Sequence, residues 1–186
     1  MPAPAISLRP ATVADQAFLL RVYASTRAAE LALTGWDIST CDAFVQMQFN
    51  AQATHYRQQW PASEHSVIEV KSGASADHGA DCGTHAAGRL WLDRRVDSIH
   101  VLDIALLSDW CGQGIGSACL GALLSEASRS GRAVTIHVEQ GNPARRLYDR
   151  LGFVPVGPQR GLHQMMAWQH PTSAISTPEE ACYEQA

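Results

Sequence analysis

Residues 104–117 read Ile-Ala-Leu-Leu-Ser-Asp-Trp-Cys-Gly-Gln-Gly-Ile-Gly-Ser, and the alternating glycines Gly112, Gly114 and Gly116 are the feature nearest to chemistry. An apolar run of strand character feeds a short turn, the glycines follow, and a helical pattern begins at Ser117. Glycine lets the backbone turn tightly and aim successive N–H groups at one point. The first turn of a helix adds N–H donors that lack an intrahelical partner, and the positive end of the helix dipole. Such a site suits a phosphate group. The nucleoside-triphosphate loop does not fit, because Gly116 is followed by Ser117 and no lysine. The dinucleotide fingerprint fails on spacing, since G-x-G-x-G stands where G-x-G-x-x-G is required. A plain structural turn between strand and helix is the other reading of the same glycines.

The elements that must position this loop can be read from periodicity. Residues 6–10 alternate as a half-buried strand, and Asp15 is placed to cap a helix carrying Phe18, Leu19, Val22 and Tyr23. Residues 27–36 keep helical character until Gly35. A second helix is expected from Asp42 to about Tyr56, with Phe44, Val45, Met47 and Phe49 among its apolar positions. Strands are expected at 66–70, 88–92 and 99–107, and the charged residues 93–98 between the last two suit an exposed turn. Residues 72–86 are small, polar and glycine-rich, which marks a connection. A helix at 117–128, a β-branched strand at 133–138, a helix from about Pro143 to Leu151 stopped by Gly152, and strands at 153–156 and 164–168 complete the order. Helices first, then strands alternating with helices, predict an α/β fold with parallel and antiparallel pairs. The expected domain covers 1–170, and the polar residues 171–186 are expected to form a disordered tail.

Composition excludes several classes. Of 186 residues, 46% are hydrophobic and 17% charged, which supplies a core and rules out a wholly disordered chain. No apolar run approaches the ~18 residues of a membrane helix, and residues 1–10 lack a secretory apolar stretch, so a cytoplasmic protein is expected. The net charge is −4, and three of the acids, Glu179, Glu180 and Glu184, sit in the last ten residues. The nearly neutral remainder predicts no nucleic-acid partner and no anionic membrane surface. The five cysteines have no C-x-x-C pair and the eight histidines are dispersed, so no metal site is expected.

At this point the chain resembles the GNAT superfamily of acyl-CoA-dependent N-acyltransferases. The family's pyrophosphate loop, [QR]-x-x-G-x-[GA], is matched by Cys111-Gly112-Gln113-Gly114-Ile115-Gly116 except at its first position, where Cys111 replaces Gln or Arg. A second family segment, N…A…LYE-x-LGF, is matched by Asn142-Pro143-Ala144-Arg145-Arg146-Leu147-Tyr148-Asp149-Arg150-Leu151-Gly152-Phe153, with one residue fewer between Asn and Tyr than is commonest. The resemblance spans about residues 6–168. It implies a GNAT-like mixed central β-sheet flanked by helices, with the fourth and fifth strands splayed apart.

The resemblance also implies roles. Acetyl-CoA is the expected cosubstrate. Ile104, Ala105 and Leu106 would offer main-chain groups to its pantetheine arm, Gly112, Gln113, Gly114, Ile115, Gly116 and Ser117 would hold the pyrophosphate, and Asn142 would meet the arm from across the cleft. Tyr148 would protonate or hydrogen-bond the departing thiolate, which its reference pKa near 10 allows; a packed core tyrosine is the alternative. For the base, relatives place an acid either on the strand that here holds His137 or at the position of Asp103. An ordinary strand histidine, an edge acid, or proton loss to water are the competing readings. Glu30 is a candidate for recognising a cationic acceptor, or a solvated helix acid. Trp36, Trp60, Trp91 and Tyr23 either line an acceptor pocket or pack as core, and Arg145, Arg146 and Arg150 either meet the CoA 3′-phosphate or face solvent. The expected activity is transfer of an acetyl group to a primary amine of a small molecule or peptide by direct attack in a ternary complex. The alternative is a catalytically weak acyl-CoA-binding module. A homodimer is compatible with either.

Overall fold

A computed structural model describes residues 5–71, 83–159 and 161–169. The tail expected over 171–186 and most of the connection expected at 72–86 lie outside the described residues. Seven strands, β1 (Ala5–Pro10), β2 (Glu64–Lys71), β3 (Thr84–Arg94), β4 (Ser98–Leu106), β5 (Ala133–Glu139), β6 (Val154–Pro155) and β7 (His163–Trp168), form one sheet in the order β1-β2-β3-β4-β5-β7-β6. Every neighbouring pair is antiparallel except β4 and β5. This is the α/β mixed sheet expected from the order of elements.

Two helical layers cover the sheet. On one face lie α1 (Gln16–Leu31) and α2 (Ile38–Gln59), where Leu19, Tyr23, Val45 and Phe49 pack on Val67, and Ala53 and Tyr56 pack on Trp91. On the other lie α3 (Ile115–Ser130) and α4 (Arg145–Arg150), whose Leu120, Leu123, Leu124 and Tyr148 join Leu90, Val101, Ile136 and Met166 in the main core. Strand alternation divides the side chains between these layers. A chemical group near the centre of the sheet therefore has a defined side.

Several local expectations need correction. Asp15 precedes α1 but does not cap it; its carboxylate accepts from Arg9 at 2.6 and 2.8 Å and from the Thr12 N–H at 2.8 Å. The Arg9 guanidinium holds that carboxyl well below the usual range. The second helix begins a turn earlier than expected, because Asp37 caps it by accepting from the Thr40 N–H. Asp93 is not in an exposed turn: it lies near the end of β3, is buried, and pairs with Arg95 at 2.7 Å. Met47 lies on the outer side of α2 and is 56% exposed, so the apolar positions of that helix are not all core.

Gly88 fixes how closely β3 approaches β4. A Cβ built there would collide with the Ala105 carbonyl oxygen and stand 2.7 Å from a Leu106 methyl. The methyl can rotate, but the Ala105 oxygen and the Leu106 Cα, 3.0 Å from that Cβ, are main chain and cannot. Gly88→Ala is accordingly expected to cost roughly 1–3 kcal/mol, the usual penalty for overpacking. Urea denaturation checks this value, and a loss below about 0.5 kcal/mol would show that the two strands yield freely.

Candidate functional site

β4 and β5 run side by side only briefly. Their parallel register covers Ser98 to Val101 against Ala133 to Ile136 and then stops. Beyond it, β4 stays paired with β3 as far as Leu106, and β5 stays paired with β7 as far as Glu139. A β-bulge falls at the point of parting: Trp91 is opposite Asp103 and Leu92 opposite Val101, leaving Leu102 as the extra residue. Bulges bend the strand that carries them. The result is a wedge whose two edges, at residues 102–106 and 137–139, have no strand between them among the described residues. Ile104, Ala105 and Leu106 line one of those edges.

The glycine loop closes the wide end of the wedge. After β4 the Leu107 N–H donates to the Ala87 carbonyl, and a 3₁₀ turn at Ser108–Trp110 leads to Cys111. Gly112 and Gly114 have φ of +75° and +81°, and a Cβ on either would meet nothing within 4 Å. These glycines answer a backbone demand, in open space. Gly114 is the N-cap of α3 and brings no side-chain cap, while the first closing bond runs from the Ala118 N–H to the Gly114 carbonyl. The N–H groups of Ile115, Gly116 and Ser117 therefore have no intrahelical acceptor. Cys111 turns its sulfur back to the Leu107 carbonyl at 3.5 Å, and the Gln113 amide donates to the Asp109 carbonyl at 2.6 Å. No basic side chain lies within 111–117, so attraction for an anion comes from main-chain donors and the helix dipole. Gly116 differs from the other two: its Cβ would point to Leu147 of α4 at 3.4 Å, a packing contact between helices.

Tyr148 approaches from α4. It is 4% exposed, with its ring set against Phe153 at 5.9 Å. Burial, with the negative charge of Asp103 added, pushes its phenol up to about 12. The hydroxyl is thus a proton donor throughout the neutral range, and it has no hydrogen-bond partner among the described residues. Asn142 is exposed, and its side-chain oxygen accepts from the Ala144 N–H at 2.9 Å, which shapes the turn into α4.

The two candidate bases share the face covered by α1 and α2. Ile136 and Val138 point into the core below α3, so His137 between them points the other way. Its ring stands edge-on to His100 at 5.3 Å. His100 is buried, its Nδ1 lies 2.7 Å from the Thr135 hydroxyl, and burial lowers its pKa to about 3. It is neutral wherever the protein is folded near pH 7. Asp103 sits just past the bulge, its Oδ2 2.6 Å from Nε of Arg89. Arg89 is 2% exposed and also donates to the Gln52 amide oxygen at 3.0 Å, beneath the rings of Tyr23 and Phe49.

The remaining candidates separate. Glu30 is exposed and paired with Arg27 at 3.3 Å on one turn of α1, which is the arrangement of a solvated helix acid. Tyr23 and Trp91 are core; the Trp91 ring stacks on His65 at 4.1 Å and its Nε1 donates to Ser63. Trp60 is half-buried beside His100, and Trp36 lies on Phe44 in an open apolar groove with Ala43 and Met47. Arg146 and Arg150 are exposed and Arg145 is half-buried on α4. Among the described residues no three His, Cys, Asp or Glu side chains converge on a metal position. No described helix is long and apolar enough to cross a membrane. Arg89, Gln52, Tyr56 and His100 escaped the sequence reading; the one visible sign was an arginine within the apolar run 86–92.

Residues 64–155, which hold the parted parallel pair, the glycine loop and Tyr148, match the family model of the acetyltransferase (GNAT) domain. Residues 64–155 belong to the GNAT superfamily. Solved structures similar to this chain include the PaiA N-acetyltransferase of Thermoplasma acidophilum in complex with coenzyme A, at 14% identity over 89% of this chain and 99% of that one, TM-score 0.61. An acetyltransferase from Thermus thermophilus is similar at 18% identity over 91% and 100%, TM-score 0.60. A Corynebacterium glutamicum protein described as histone acetyltransferase HPA2 and related acetyltransferase is similar at 22% identity over 94% and 99%, TM-score 0.59. At such identities the likeness to each is one of fold. No curated protein sequence matches this chain.

Proposed function

We propose that this protein transfers an acetyl group from acetyl-CoA to a primary amine of a small molecule or peptide, by direct attack in a ternary complex. The observation that carries the reading is the wedge itself: an open β4 edge, uncapped N–H donors at its wide end and the Tyr148 hydroxyl nearby. Main-chain groups of Ile104, Ala105 and Leu106 hold the pantetheine amides as a neighbouring strand would. The N–H groups along Gly112 to Ser117, including those of Gln113, Gly114, Ile115 and Gly116, take the pyrophosphate. Asn142 keeps its amide N–H groups available to the arm from the far side.

The neutral amine nitrogen attacks the thioester carbonyl carbon, forming the C–N bond. The C–S bond then breaks, and Tyr148 Oη gives the leaving sulfur its proton or a hydrogen bond. The extra proton on nitrogen passes to His137 or, by water, to solvent. Burial, with the charge of Asp103 added, keeps the phenol protonated, and Asp103 is itself tied to Arg89. Glu30, paired on the α1 surface, contributes to an acceptor only if Arg27 releases it.

Cys111 at the loop's first position and the pairing of the candidate base Asp103 with Arg89 favour one second reading, a module that binds acyl-CoA with little turnover. Both readings require the ligand. Saturating acetyl-CoA is expected to raise the melting temperature, because a ligand of the folded state alone stabilises it. Gly114→Val forces a β-branched residue to φ of +81° at the helix start and is expected to weaken acetyl-CoA binding at least about tenfold by calorimetry. A folded Gly114→Val protein that binds as the native does would make the loop a mere connection.

A further inference from the structure

The bulge that opens the wedge is held from outside the sheet. Leu102 has no register partner in either neighbouring strand. Its carbonyl is instead met by the Tyr56 hydroxyl of α2, which donates at 3.1 Å. One turn earlier on α2, the Gln52 amide N–H reaches the same Tyr56 oxygen at 3.4 Å, while the Gln52 amide oxygen accepts from Arg89. Arg89 in turn pairs with Asp103. The relay thus grips β4 twice, by the main chain of Leu102 and by the side chain of Asp103.

We propose that Gln52 and Tyr56 are positioning residues, which set the angle at which β4 leaves β5 and hold Arg89 where it pairs with the Asp103 carboxylate. The inference rests on the reading of the wedge as the acyl-CoA cleft. Two observations support it. Tyr56 and Arg89 are 8% and 2% exposed, so their polar atoms were taken from water and gain little as stability devices. Buried networks of this kind, when satisfied, restrict a region to one arrangement. The relay also begins at the first residue after the β4–β5 pairing ends, where a strand free to flatten could close the wedge. A displacement of an ångström at a reacting centre is enough to cost up to 100-fold in rate, on the order of intramolecular reaction data.

Tyr56→Phe removes the bond to Leu102 and keeps the ring against Trp91 and Trp60. Gln52→Met removes both of its bonds at similar volume, and Gln52→Glu restores the acceptor for Arg89. Amide hydrogen exchange is read first. In Tyr56→Phe and Gln52→Met, residues 102–106 are expected to exchange faster by about tenfold, with Ile99 and Val101 unchanged. Turnover is read next, below the melting temperature. Each single variant is expected to lower kcat by roughly 10-fold, the double variant to fall no further than the worse single, and Gln52→Glu to recover most of the loss. Unchanged exchange at 102–106 in the folded variants would overturn the inference whatever the turnover. So would a double-variant loss equal to the product of the singles. Native protein that binds acetyl-CoA and transfers nothing would overturn the catalytic reading instead, and the exchange data would still decide the positioning role.

Discussion

Tyr148→Phe is expected to lower the rate of acetyl transfer by roughly 10- to 1,000-fold, the range for loss of one general-acid contact, with acetyl-CoA affinity little changed. Phenylalanine keeps the ring that packs on Phe153 and fills the core below α4. Only the hydroxyl leaves, and it has no hydrogen-bond partner to orphan among the described residues. Stability should therefore move by less than the ~1 kcal/mol usual for a broken internal hydrogen bond. The native phenol is pushed up to about 12, so its proton is present throughout the neutral range and well into alkaline solution. The rise of rate with pH must then come from the amine or its base. Measuring kcat, acetyl-CoA binding and melting temperature on the same variant separates the roles. Unchanged kcat would leave Tyr148 with a packing role alone.

Asp103→Asn is expected to produce the largest loss of stability. Arg89 is almost wholly inaccessible, lies beneath Tyr23 and Phe49, and has Asp103 as its ion-pair partner. Removing one member of a buried pair leaves an uncompensated charge, at about 3–5 kcal/mol. For a chain of this size that corresponds to a fall of about 10 °C in melting temperature. The double variant Arg89→Met with Asp103→Asn should recover most of the loss, because no charge is then stranded. A denaturation cycle over the four proteins measures the coupling. Additive effects would mean that the pair is solvated in solution and does not anchor the bulge.

What could be read beforehand follows from what residue types encode. Gly112 and Gly114 announce a backbone of positive φ, and both adopt it. The β-branched residues of 133–138 announce a central strand, and β5 is one. Asp37 was missed as a cap because Asp42 also precedes an apolar run, and local pattern ranks neither. Gln52, Tyr56 and Arg89 were invisible for a different reason. Their chemistry arises from a bulge at Leu102, and a bulge depends on how two strands register, which no single strand states. Asp103 was legible as a position on a strand, but its partner Arg89, on the neighbouring strand, was not.

Acetyl transfer from a thioester held in the wedge is measured by thiol release from acetyl-CoA across a panel of amines. A free amino acid, a polyamine, an aminoglycoside and a peptide N-terminus span the acceptor chemistry, with native protein and Tyr148→Phe side by side. Free CoA is expected in step with acetylated amine for at least one acceptor, and that release is expected to be lost in the variant. Native protein that releases no thiol from saturating acetyl-CoA with any of these amines would contradict acetyl transfer, whether or not the acetyl-CoA binds.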